Sequence, residues 1–101
     1  MAFISYEFHK TAIEALNICE RMINEQEFRY VKNERKIFHD FAALETIEKE
    51  QELKLKIINI NVEFSLKMTK LQQRGEPYEP IQEYFHQKIK QVRNELDRLY
   101  S

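Results

Sequence analysis

A chain of 101 residues with 43% hydrophobic and 33% charged side chains holds enough apolar material for one small domain, residues 1–101, and too little length for two. That mixture excludes a disordered polymer and a membrane-embedded protein, and no apolar run approaches the roughly 18–20 residues that cross a bilayer. The net charge of −1 supplies no global field toward nucleic acid or an anionic membrane.

The opening MAFISYEFHK lacks the basic n-region and apolar h-region of a secretory signal. A single cysteine, Cys19, excludes an intramolecular disulfide. Set among apolar positions it reads as a small core residue, which suits a reducing, cytoplasmic setting. Charge is uneven along the chain: residues 1–52 carry 7 Lys/Arg against 11 Asp/Glu, and residues 53–101 carry 9 against 6. Opposite halves favour antiparallel or head-to-tail pairing.

In chain order, the first helix is expected from Phe3 or Ser5 to Ile23. Phe8, Ala12, Ala15, Cys19 and Met22 make one stripe, widened by Ile13, Leu16 and Ile23, which predicts a broad buried face. Asn24 has C-cap character, and Asn24 to Glu27 is the expected reversal. A second helix then starts at Phe28, with Val31, Ile37, Phe38, Phe41, Leu44 and Ile47 apolar. It would run antiparallel to the first, with Ala42 and Ala43 facing Ala12 and Ala15. The polar segment Thr46 to Glu52 reads as a joint or as a solvated part of one helix. Without a joint, a helix from Phe28 to Gln73 would reach about 69 Å.

The stretch Leu53–Leu71 organises the rest and supports two readings. From Ile58 to Met68 apolar and polar residues alternate, the pattern of a half-buried strand. At about 100° per residue, however, Leu53, Ile57, Ile60, Phe64, Met68 and Leu71 form one helical stripe, and Leu55, Ile58, Val62 and Leu66 form a second on the opposite side. No Gly or Pro precedes Gly75, so a strand would lack ordinary turn residues. Helix is therefore preferred. A helix apolar on two sides needs cover on two sides, which makes this stretch the expected centre of the fold.

Gly75-Glu-Pro-Tyr-Glu-Pro80 is the clear break: Gly75 suits a left-handed cap, Pro77 stops the helix and Pro80 fits the first turn of the next. The last helix carries Ile81, Phe85, Ile89, Val92, Leu96 and Leu99 at spacings of three and four and folds back on the stripe Leu53–Leu71. The run from Gly75 to Asp97 resembles the turn and helix of the small all-helical regulators of bacterial competence and biofilm formation. It contains no diagnostic motif, and no residue role is carried over from that resemblance.

The expected fold class is all-α, an elongated antiparallel bundle of coiled-coil hairpins with three to four helices. The alternative is α+β, with a long strand at 53–68 pairing between chains. If the first helix covers residues 28–50 and the last covers 53–71, the stripe Leu55, Ile58, Val62 and Leu66 remains uncovered. Each such side chain left in water forgoes roughly 1.5–3 kcal/mol, so the stripe is the expected interface of a homodimer or higher oligomer.

Catalytic signatures are few. One glycine cannot build a phosphate loop, and no nucleophile elbow, CxxC or HExxH occurs. Glu83-Tyr-Phe-His86 is a lone ExxH without the second copy that a di-iron bundle needs. His9, His39 and His86 fall on three different predicted helices, and neither a metal nor another cofactor is expected. Lys67, Lys70, Arg74, Lys88, Lys90 and Arg93, with Tyr78, Tyr84 and Tyr100 interleaved, outline a basic face that a nucleic acid or nucleotide would use, although acidic residues interrupt it. The leading expectation is a non-enzymatic helical protein-interaction module, a regulator, adaptor or inhibitor, that self-associates and meets an unidentified protein partner. The alternative is a small oligomeric nucleic-acid or nucleotide binder.

Overall fold

Ser5 begins the fold. Its Oγ accepts a hydrogen bond from the Phe8 N–H at 3.1 Å, a side-chain cap that satisfies one of the free amides at a helix start. The computed structural model describes residues 3–101 and contains, over them, α1 (Tyr6–Glu25), α2 (Glu34–Ala43), α3 (Glu48–Arg74) and α4 (Glu79–Tyr100). The fold is all-α. The strand reading of residues 53–68 is corrected: the two apolar series with 3–4 spacing outweigh the alternation, and the whole segment lies inside the 27-residue α3.

The reversal after the first helix also differs from expectation. α1 runs past Asn24 to Glu25, and Gln26 adopts the left-handed conformation (φ 57°) that closes it. No helix starts at Phe28. Residues 27–33 form a connection, with a second left-handed residue at Lys32 (φ 53°), and α2 waits for Glu34. The physical reason is Arg21. Its guanidinium donates to both Glu34 carboxylate oxygens at 2.7 Å and to the Arg29 carbonyl at 2.6 Å. Glu34 in turn accepts the Val31 N–H at 2.9 Å. One forked cation thus holds the connection's backbone in a non-helical path, while Phe28 and Tyr30 still reach the core edge beside Phe64 and Phe38.

The rod from Phe28 to Gln73 does not form either. Leu44 is extended (ψ 134°), and α3 restarts at Glu48 with the Ile47 N–H held by Glu50 Oε1 at 3.2 Å. The other Glu50 oxygen accepts the Ser5 N–H at 2.8 Å, so one buried carboxylate ties the starts of α1 and α3 together. At the far end Gly75 (φ 67°) caps α3, its N–H bonded to the Leu71 carbonyl at 2.8 Å. Pro80 lies in the first turn of α4, as its missing N–H requires.

α3 is not the centre. α1 is: both helices touch the other three, but α1 packs more extensively against them, whereas α3 leaves one face in solvent. Phe8, Ala12, Ala15, Leu16, Ile18, Cys19, Met22 and Ile23 are all buried, which wraps apolar contact around most of the helix. Ala12 and Ala15 are fully covered, but not by a matching alanine patch: Ala43 is exposed and Ala42 half-buried. α2 and α4 run antiparallel to α1, as Phe8 against Phe41 and Phe3 N–H to the Leu99 carbonyl (2.8 Å) place them. α4 folds back on α3 as expected, with Phe64 and Phe85 edge to face at 5.3 Å. The result is elongated, 47 × 25 × 19 Å.

Candidate interaction surface

The inward stripe of α3, Leu53, Ile57, Ile60, Phe64 and Met68, is buried. On one flank of it Lys56 pairs with Glu95 (3.0 Å), and Glu63 receives the Tyr84 hydroxyl (2.6 Å) and Lys88 (3.3 Å); this flank faces α4. Lys88 also lies over the Tyr84 ring. The Tyr84 hydroxyl first, and then Lys88, hold the Glu63 carboxyl below its usual range. On the other flank Lys54 Nζ donates to the Ala42 and Leu44 carbonyls at 3.1 Å, and buried Asn61 lies against Met22; this flank faces α2 and α1.

Neither flank covers the outward side. Leu55, Val62 and Leu66 are 48%, 50% and 59% exposed, and Ile58 is half-buried with its inner part on the core. Of the four residues predicted as an interface, the structure therefore leaves three open and lets the bundle claim part of the fourth. Between Leu55 and Gln73 the sector about 80–180° from the buried stripe holds Leu55, Ile58, Val62, Ser65, Leu66, Thr69, Gln72 and Gln73, without one charge. Thr69 even turns its hydroxyl back to the Ser65 carbonyl at 3.0 Å. An uncharged strip about 27 Å long, apolar over its first ~17 Å from Leu55 to Leu66, on an otherwise highly charged protein is the most distinctive surface it offers.

Compared with protein-family models, curated proteins and solved structures, the chain matches none. The candidate surface is therefore read from geometry alone.

The predicted basic face is split between different sides of the molecule. Lys67, Lys70 and Arg74 are exposed along α3. Lys88 points into a groove of about 310 Å³ between α3 and α4, shared with Lys56, Glu63 and Glu95. Lys90 and Arg93 line another groove, about 400 Å³, between α1 and α4 with Glu20, Asn24 and His86. Three of the six cations are already engaged, Lys88 with Glu63, Arg93 with Asn17 (2.8 Å) and Glu20 (3.4 Å), and Arg74 with Glu76 (3.9 Å).

The histidines are not brought together. His9 meets Asp97 at 3.2 Å and stacks on Tyr100, while His86 meets Asn24 at 2.8 Å, about 17 Å away along α4. His39 lies on α2 beside Tyr30. Glu83 of the ExxH pairs with Gln87 at 3.0 Å. No group of three His, Cys, Asp or Glu among the described residues is placed to hold a metal ion. Burial pushes the Cys19 thiol up to about 12, so it is present as the thiol at neutral pH and is a poor nucleophile.

Sequence reading missed three residues that shape the site. Lys54 is buried and caps the C-terminal end of α2, where a cation suits the helix dipole. Glu50 is buried at the α1–α3 junction, and Arg21 organises the connection before α2. The available signal was local: Glu50 stands three residues after Ile47, the reach of a carboxylate back to a helix-start amide. The Arg21–Glu34 pair, by contrast, spans a turn that periodicity does not describe.

Proposed function

We propose that this protein is a non-enzymatic helical interaction module, acting as a regulator, adaptor or inhibitor, that self-associates through the outer face of α3. The supporting observation is the uncharged strip carrying Leu55, Val62 and Leu66, each about half exposed, on a helix whose other faces are buried or charged. A helix face of this kind is recognised by another helix laid along it. The thiol is buried, His9 and His86 are held in separate hydrogen bonds, and His39 lies beside Tyr30. A reducing cytoplasm suits that buried free cysteine, and among the described residues no helix is long and apolar enough to cross a membrane.

The test is Val62→Glu combined with Leu66→Glu. Half of Val62 and more than half of Leu66 are exposed, so the variant is expected to keep its far-UV circular dichroism and thermal midpoint while its sedimentation coefficient falls to that of a monomer. An unchanged dimer would remove this face from the reading. The nucleic-acid alternative draws on Lys67, Lys70 and Arg74 as a run of exposed cations, of which Arg74 is paired with Glu76. It predicts oligonucleotide binding that weakens steeply between low and moderate salt.

A further inference from the structure

We propose that the occupant of the α3 outer face is α3 of a second copy, laid antiparallel about a two-fold axis level with Ile60 and Asn61. This rests on the self-association reading above and adds the partner segment and its direction. Two independent features of α3 carry it.

The first is the symmetry of the outward residues. Leu55, Asn59, Val62 and Leu66 are separated by four, three and four positions, which is the spacing of a helix–helix seam and reads the same in both directions. Reversal about the level of residues 60 and 61 brings Leu55 opposite Leu66 of the second copy and Asn59 opposite Val62, with Ile58 packing alongside. Every large outward side chain then meets an apolar or neutral one.

The second is charge. The edge of the strip nearest α4 carries Glu52, Lys56, Glu63 and Lys70. In an antiparallel pair each edge meets the same edge of the other helix, running the other way. Reversal about the same level brings Glu52 to within one residue's rise of Lys70 and Lys56 to within two of Glu63, about 1.5 and 3 Å along the axis and inside the reach of these side chains; the signs are opposite in both cases, and each pair occurs twice. Lys56 and Glu63 already have partners in their own chain. Glu52 has only Lys49 at 3.5 Å, and Lys70 makes no ion pair among the described residues, so Glu52 and Lys70 discriminate between directions. A parallel in-register pair would instead set this charged edge against the opposite edge of the second helix, which carries the uncharged Ile58, Ser65, Thr69 and Gln72, and the attraction would be lost. The overlap from Glu52 to Lys70 is about 27 Å, short enough that the dimer is weak and calls for concentrated protein.

Cysteine pairing reads the direction. Leu55→Cys and Leu66→Cys are made separately in the full chain, and Cys19, buried and protonated, stays out of the reaction. Under mild copper–phenanthroline oxidation, the mixture of the two variants is expected to form a disulfide-linked dimer, and each variant alone is expected to stay monomeric on non-reducing gels. Cross-linking of each variant alone would overturn the antiparallel register. So would absence of cross-linking in a chain that sedimentation shows to be dimeric. In the unmodified chain, Lys70→Glu is expected to weaken dimerisation about three- to tenfold, and Glu52→Lys added to it is expected to restore it. Restoration failing in a protein that still dimerises overturns the direction only. Wild-type protein monomeric at every concentration overturns the self-association reading itself, and α3 would then be left for a helix from a different protein.

Discussion

Arg21 shows how one side chain decides where an element starts. Its exposure is low, and its fork meets Glu34, with Glu25 a further partner four residues along α1. Burial alone would push the Glu34 carboxyl up, but Arg21 and the Val31 N–H hold it below its ordinary value of 4.5. A carboxyl with a lowered pKa in the folded chain binds fewer protons there than in the unfolded chain. Its contribution is therefore complete at neutral pH and is lost as pH falls through the folded value. The stability difference between the wild type and Glu34→Gln, from urea midpoints, is expected to be constant near neutrality and to shrink below about pH 4.5. Arg21→Ala should cost about 2 kcal/mol, the scale of hydrogen bonds to charged groups. Lys54 works in the same way at the other end of α2, so this ten-residue helix is pinned at both ends by cations from its neighbours.

At the scale of the element, α3 and α4 were legible because their determinants are local. Gly75 takes a left-handed conformation, and a Cβ built there meets nothing within 4 Å. The cost of Gly75→Ala is thus conformational and not steric: about 1–2 kcal/mol, read as a lowered thermal midpoint, with Gly75→Asn losing less. The helical stripe Leu53–Met68 likewise follows from spacing alone, and the lack of any Gly or Pro before Gly75 separated helix from strand. The outward series was legible in the same way, except that Ile58 leans into the core. The start of α2 was not legible. Phe28 and Val31 carry the apolar pattern of a helix, yet they use a connection whose path is set by Arg21, a residue on another element. Long-range polar contacts leave no period in a sequence.

The same limit applies to the molecule as a whole, where the sequence suggested α3 as the centre and the structure puts α1 there. Two stripes on α3 looked like two contacts, whereas one is packed and the other faces out. The contrary hint lay in Ala12 and Ala15, small side chains that let neighbouring helices approach closely from more than one side. Overpacking this axis should be costly. Ala15→Leu is expected to lower stability by about 1–3 kcal/mol in a denaturant titration. The radius of gyration of 14.0 Å exceeds the about 12.7 Å typical for this length, because α3 projects as the longest edge.

The pairing of α1 with α4 also has a consequence in time. Arg93 and Glu20 lie 73 positions apart, and at about 5–20 residues per second a ribosome needs roughly 4–15 s to make the intervening stretch. Over that interval the newborn α1 has emerged while the helix that seals its flank is still unmade. Its greasy side must wait, shielded by a chaperone or by a provisional collapse onto α2, until the tail arrives to close it.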